Sequence, residues 1–148
     1  MSKQLIVTSA LPYANGPLHF GHLLEHVQTD IWVRTNRLLR NECIYICASD
    51  AHGTPIMMKA ESEKMDPEEL VKKFTREHER TLKEFHVNHD NYYTTHSDEN
   101  KKYSEIIFLR SQENNLIKIK TIEQFYDESK GMFLSDRYVQ GTCPSCGA

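Results

Sequence analysis

The first 48 residues predict a β-strand, a loop, a helix and a second β-strand, in that order. The loop is rich in proline, asparagine and glycine. Residues 5–8 are a β-branched run that predicts a buried strand, and residues 22–40 carry apolar side chains at three- and four-residue steps, as an amphipathic helix does. Residues 43–48 predict the second strand. Two strands that are joined through a helix pair in parallel with a right-handed crossover. The sequence therefore predicts an α/β fold built on a parallel sheet.

Cap residues predict the helices that follow this unit. We expect Thr54 and Asp66 to be N-caps, each followed directly by a proline in the first helical turn. Glu69 lies three residues after Asp66, which is the spacing of a capping box. The inner face of this second helix is predicted to comprise Leu70, Phe74, Thr81 and Phe85. A short strand is predicted at residues 92–95, and Ser97 is expected to cap a last helix that ends near residue 114.

The pattern changes from helical to alternating near residue 116. Apolar residues alternate with lysines over residues 117–121, and Gly131 separates two runs that contain aromatic residues, which predicts an antiparallel hairpin. We therefore expect two domains, residues 1–115 and residues 116–148. The second ends in Cys143 and Cys146, and such a pair supplies half of the four ligands of a structural zinc site.

Composition and charge narrow the class of protein. The 148 residues include 18 Lys and Arg against 21 Asp and Glu, so this segment carries no basic footprint for nucleic acid. No apolar run approaches the ~20 residues that a membrane-spanning helix needs, and the first residues have no secretory signal. We therefore expect a cytoplasmic globular domain with reduced cysteines and no membrane partner.

The loop between the first strand and the first helix is the first candidate site. In a parallel sheet this loop lies at the carboxyl edge, where open α/β folds bind ligands. The helix that follows offers free N–H groups, which suit phosphate, and Gly16 and Gly21 let the backbone approach a ligand closely. His19 and His22 lie three residues apart, so both imidazoles can bond a triphosphate and stabilise charge that develops on it. The sequence has no Gly-Lys-Ser/Thr, which excludes the common phosphate-binding loop.

Other interpretations of these residues stay open at this point. His19 and His22 could simply cap a helix. His22, Glu25 and His26 match the inverted zinc-protease motif His-x-x-Glu-His. In the loop after the second strand, Asp50 could pair with an ammonium group at the same sheet edge, or it could form an Asx turn with the backbone.

Three ordered blocks of the chain resemble the landmarks of class I aminoacyl-tRNA synthetases, and those of methionyl-tRNA synthetases in particular. Residues 10–22 contain the His-x-Gly-His signature, residues 50–55 read Asp-Ala-His-Gly-Thr-Pro, and residues 130–146 end in Cys-Pro-Ser-Cys. The resemblance implies a Rossmann-like catalytic domain, of which residues 1–115 would be the N-terminal half. It also implies a connective-peptide insertion with a zinc knuckle, of which residues 116–148 would be the start. The activity it implies is that of a methionine–tRNA ligase, which uses ATP and Mg²⁺ to form methionyl-adenylate and transfers methionine to tRNA(Met).

The resemblance implies roles for individual residues as well. His19 and His22 would contact the ATP phosphates and stabilise the transition state of adenylation. Asp50 would bind the methionine ammonium group, while Leu11 and Tyr13 would line the side-chain pocket. The implied ATP-binding segment comprises Pro12, Tyr13, Ala14, Asn15, Gly16, Pro17, Leu18, His19, Phe20, Gly21 and His22. The implied zinc ligands are Cys143 and Cys146.

One landmark of the family is missing from these residues. The Lys-Met-Ser-Lys-Ser signature, the second ATP signature of the family, does not occur. We therefore expect the chain to be an N-terminal fragment that is inactive alone and that acts on methionine, ATP and tRNA(Met) as part of a longer protein. Two alternatives are a small nucleotidyltransferase of the same His-x-Gly-His superfamily and a non-enzymatic, zinc-binding relic of a truncated gene.

Overall fold

The computed structural model describes residues 2–129, 131–134 and 145–147. These residues form four helices and five strands, which are β1 Gln4–Val7, α1 Phe20–Leu38, β2 Glu42–Ser49, α2 Thr54–Glu63, α3 Pro67–Glu84, β3 Asn91–Thr94, α4 Asp98–Glu113, β4 Tyr126–Asp127 and β5 Met132–Phe133. The chain divides into two compact units, Met1–Tyr103 and Ser104–Ala148. Within the described residues, no helix has the length and apolar character to cross a membrane. The domain boundary at residue 116 stays a prediction.

The first unit is built on a parallel sheet in the order β1-β2-β3. Leu5 of β1 lies opposite Cys43 of β2, and Cys47 of β2 lies opposite Tyr92 of β3. Helix α1 connects β1 to β2, and helices α2 and α3 connect β2 to β3. The predicted Rossmann-like α/β sheet is therefore confirmed, and the carboxyl ends of its three strands lie at one edge.

Two groups of buried residues hold this unit together. The first joins α1, β2 and α3 and contains Val33, Cys43, Tyr45, Leu82 and Val87. The second joins the loops after β1 and β2 to α2 and α3 and contains Ala14, Ala51, Ile56, Ala60, Leu70, Val71 and Phe74. Burial of apolar side chains contributes roughly 25 cal/mol per Å². The second group therefore fixes the backbone of both loops at the carboxyl edge of the sheet.

Of the three predicted N-caps, Asp66 and Ser97 are correct and Thr54 is wrong. The Asp66 carboxylate accepts hydrogen bonds from the N–H groups of Glu68 and Glu69, as an N-cap does. At α2, however, the N-cap is Gly53, with φ at 117°, and Thr54 is already the first helical residue. The prediction for Thr54 is wrong because the chain turns into α2 through a conformation that favours glycine.

The inner face of α3 follows steps of four residues rather than the predicted set. Leu70 and Phe74 are buried as expected, but Phe85 is 53% exposed because it lies just beyond the last helical residue. His78 and Leu82 complete the buried stripe. A histidine therefore occupies a position in the interior at which the pattern predicted none.

The second unit contains a small antiparallel hairpin. Tyr126 of β4 lies opposite Phe133 of β5, and Gly131 has a φ of 63° in the turn between them. The hairpin around this glycine is therefore confirmed. The alternating residues 117–121 do not form a strand, and the Ile119 side chain is fully exposed. Among the described residues, no strand pairs with this segment.

Candidate functional site

The loops after β1 and β2 are joined at the carboxyl edge of the sheet. The Ala14 N–H donates to the Asp50 carbonyl oxygen at 2.9 Å, and the Asp50 N–H donates to the Pro12 carbonyl oxygen at 2.8 Å. Tyr13 and Asp50 thereby form an isolated parallel bridge. The sequence placed these residues in two separate loops, and the fold brings them side by side.

A glycine in the second loop gives Tyr13 its position. The Tyr13 hydroxyl donates to the His52 carbonyl oxygen at 2.8 Å. A Cβ atom on Gly53 would lie 2.7 Å from the Tyr13 hydroxyl oxygen, so any other residue at this position would displace the phenol. The tyrosine ring is half-buried, and Leu11, which precedes it in the loop, is 40% exposed. The loop after β2 therefore fixes the position of the Tyr13 ring, which we predict to line a pocket.

His19 and His22 meet at the start of α1. The His19 N–H donates to Nδ1 of His22 at 3.3 Å, and the two rings stack with their centroids 3.7 Å apart. A Cβ atom on Gly21 would lie 3.1 Å from two atoms of the His19 ring, so a side chain there would press against the stacked pair. His19 is the N-cap of α1 and forms a capping box with His22, so both imidazoles lie together at the helix start.

The His22 ring is suited to donate a hydrogen bond. Burial lowers its pKa below the ordinary value, and the neighbouring His19 and His78 lower it further. Since Nδ1 of the neutral ring accepts from the His19 N–H, Nε2 carries the proton. An imidazole N–H in the first turn of a helix can bind phosphate oxygens, which the start of a helix favours.

A histidine that the sequence did not single out holds the middle of the loop. His78 of α3 is completely buried, and its Nε2 lies 2.7 Å from the Gly16 carbonyl oxygen, to which it donates. Burial lowers the pKa of His78, so the ring is neutral. The available signal was its position four residues after Phe74 on the buried stripe of α3.

The start of the loop is held by α1 and β2. The Ser9 hydroxyl lies 3.0 Å from Nδ1 of His26 and 3.0 Å from the Tyr45 hydroxyl, and all three residues are buried. The Ala10 N–H donates to a carboxylate oxygen of Glu25. In the described part of the chain, no group of metal-binding side chains combines His22 with His26. The zinc-protease arrangement is therefore not formed.

The predicted zinc knuckle is only partly within the described residues. Cys143 lies outside them, and Cys146 is exposed. A zinc ligand pair at these cysteines stays a prediction.

Solved structures share the fold of this chain. A LeuRS from Agrobacterium radiobacter, in a ternary complex with tRNA and LeuAMS, superposes with a TM-score of 0.78 at 19% identity, over 99% of this chain and 20% of its own. Mycobacterium tuberculosis methionyl-tRNA synthetase, in complex with methionyl-adenylate, superposes with a TM-score of 0.80 at 22% identity, over 93% of this chain and 27% of its own. The chain thus spans about a fifth to a quarter of the length of these two proteins.

A family model identifies the chain more closely than these superpositions do. The model described as tRNA synthetases class I (M) matches residues 5–148, which include both loops of the site and the cysteine pair. The match begins in β1 and extends through both compact units. The chain therefore belongs to the class I tRNA synthetases.

Proposed function

We propose that this chain supplies the N-terminal half of the catalytic domain of a methionine–tRNA ligase. In the first step, the methionine carboxylate attacks the α-phosphorus of ATP and releases pyrophosphate, giving methionyl-adenylate. In the second, a hydroxyl group at the 3′ end of tRNA(Met) attacks the activated carbonyl carbon and releases AMP. The observation that carries the proposal is the bridge between Tyr13 and Asp50, at the edge of the sheet where α1 begins with His19 and His22.

The α1 side of this edge suits ATP, accompanied by Mg²⁺. Negative charge increases on the phosphate oxygens as the carboxylate attacks. The neutral His22 ring can donate from Nε2 to these oxygens, and the stacked His19 ring holds it in place. One preorganised donor of this kind contributes about 2.7–4 kcal/mol to lowering a barrier.

The Tyr13 and Asp50 side suits an amino acid with an apolar side chain. A half-buried carboxylate at Asp50 can pair with an ammonium group. Tyr13 and Leu11 offer an aromatic and an aliphatic surface beside it, which suits the polarizable thioether of methionine. Discrimination against a substrate that differs by one methylene is worth only ~1–3 kcal/mol, so near-analogues of methionine are expected to be activated at a lower rate.

In the proposed ligase, Cys143 and Cys146 would bind zinc. These two residues would supply half of a four-ligand knuckle, and Cys146 is exposed and accessible to a metal. We assign no step of the reaction to this metal.

The test is amino-acid-dependent exchange of pyrophosphate into ATP, measured on an enzyme that contains this chain. Methionine should support exchange, and leucine should support it at least ~10-fold more weakly. Asp50→Asn should raise the KM for methionine by about 10–100-fold, because a hydrogen bond to a charged group contributes ~1.5–3 kcal/mol. Residues 1–148 alone are expected to catalyse no exchange.

Two results would contradict this proposal. A preference for leucine would move the site to another class I specificity. Exchange that proceeds without any amino acid would favour a nucleotidyltransferase instead.

A further inference from the structure

A buried cluster of metal-binding side chains lies one helical turn beyond His22 and has no part in the proposed reaction. His26 of α1, Cys47 of β2 and His89, which precedes β3, each offer one ligand atom, and these three atoms lie within 4.8 Å of one another. His26 is 1% exposed and Cys47 is 6% exposed, while His89 is half-buried. The three residues come from separate segments, so the fold alone brings them together.

Two nitrogen atoms in this cluster have no protein partner. Nε2 of His26 and Nε2 of His89 are both buried, and neither has a hydrogen-bond partner among the described residues. Buried polar atoms in folded proteins nearly always have one. A metal ion bound at these two nitrogen atoms would give each of them a partner.

The His26 ring is already oriented as a metal ligand would be. Its Nδ1 lies 3.0 Å from the Ser9 hydroxyl, which in turn lies 3.0 Å from the Tyr45 hydroxyl. When Nδ1–H donates to Ser9, the lone pair of His26 is left on Nε2. Hydrogen bonds of this kind from the second ring nitrogen orient metal-binding histidines.

We propose that His26, Cys47 and His89 bind one divalent transition metal ion, with Zn²⁺ as the expected occupant. Two imidazoles and a thiolate are donors that zinc prefers. Binding releases one proton from the Cys47 thiol, and the resulting thiolate bonds to the metal without any change of oxidation state. The ion would tie α1 and β2 to the segment before β3, next to Ser9 at the start of the nucleotide loop.

The spacing of the donors allows this coordination. Bond lengths of about 2.0–2.3 Å place tetrahedral ligands about 3.3–3.6 Å apart. Donor atoms within 4.8 Å of one another therefore need to approach by at most about 1.2–1.5 Å, which side-chain rotations can supply.

The experiment titrates Co²⁺ into the reduced, chelator-treated 148-residue chain, because cobalt is a coloured substitute for zinc. We expect one equivalent to bind with a thiolate-to-cobalt charge-transfer band in the near ultraviolet, and Zn²⁺ to abolish the band. The matched pair is Cys47→Ala and Cys43→Ala, since each removes a buried thiol from the same strand. The band should disappear in Cys47→Ala and persist in Cys43→Ala.

Further variants keep the test decisive if Cys47→Ala does not fold. His89→Gln changes a less buried ligand and should abolish the band, whereas Ser9→Ala should weaken cobalt binding about 10–100-fold. A Cys143→Ser/Cys146→Ser double variant should retain the band. The proposal is overturned if the folded wild-type chain shows no thiolate band, or if the band is lost in the Cys143→Ser/Cys146→Ser variant and persists in Cys47→Ala.

Discussion

Two histidines one turn apart on α1 have different surroundings. His22 is half-buried, stacks on His19 and belongs to the proposed nucleotide site. His26 is fully buried, and it lies between the Ser9 hydroxyl and the ligand atoms of Cys47 and His89. Burial lowers the pKa of both rings. Helix periodicity places the two histidines on one face of α1. The loops and strands that pack against each helical turn then determine what each histidine contacts and can do.

The largest difference between them should appear in catalysis. In an enzyme that contains this chain, His22→Ala should lower the rate of adenylation about 10²–10³-fold, because a preorganised donor is lost from the transition state. The affinity for methionine should change little. Single-turnover formation of methionyl-adenylate and calorimetric binding of methionine measure the two quantities.

A glutamine at this position provides the control for His22→Ala. The amide of His22→Gln can still donate a hydrogen bond, so this variant should retain part of the rate. Loss of methionine affinity in either variant would mean that the role of His22 is wrong.

The second difference should appear in stability. His26→Ala should lower the free energy of unfolding by about 2–3 kcal/mol, because it leaves the buried Ser9 hydroxyl with one partner fewer and opens a cavity. Urea denaturation of the 148-residue chain measures this loss. His22→Ala is the matched comparison, and an equal loss in the two variants would remove the distinction between the two surroundings.

The buried cluster around His26 and His89 also predicts that the free energy of unfolding depends on pH. The pKa of His89 is lowered to about 4, whereas the unfolded chain binds the same proton near the ordinary value of 6.5. The contribution of the neutral ring is therefore complete above about pH 6.5 and is lost as the pH falls from there towards 4. We expect a loss of about 1–2 kcal/mol over this window, reduced by the partial exposure of the ring.

Urea denaturation at about pH 7 and about pH 5 gives this loss, and the same pair of measurements on His89→Gln supplies the reference. The pKa values of His22, His26 and His78 are lowered too, so the variant should retain a smaller loss in the same direction. If the wild type and His89→Gln lose equal stability, His89 is not the group that titrates.

Local patterns were sufficient to predict the strands and the helix of the parallel unit, the position of His19 and His22 at one helix start and the cap at Asp66. Each of these depends on residues close in sequence, so periodicity and spacing carry the information. The cap at Thr54 was predicted wrongly because residue types alone do not show that Gly53 takes a φ of 117°.

Contacts between distant segments could not be predicted in this way. His78 donates to a carbonyl oxygen 62 residues earlier in the chain, and its sequence position marks it only as part of a helix. His89 lies in a polar stretch of sequence, and its contact with His26 depends on the order of the three strands. Neither partner can be identified until the packing of the helices on the sheet is known.

The smallest predicted effect concerns Asp66, which serves as a reference for both histidines. Asp66→Ala removes the acceptor for two N–H groups at the start of α3 and should cost about 1 kcal/mol of stability. Asp66→Asn retains a good cap and should cost only a few tenths of a kcal/mol. Urea denaturation measures both changes, and cobalt titration should give the wild-type stoichiometry in each. Because this cap contacts neither His22 nor His26, a loss of cobalt binding in Asp66→Ala would show that general destabilisation is enough to open the buried cluster.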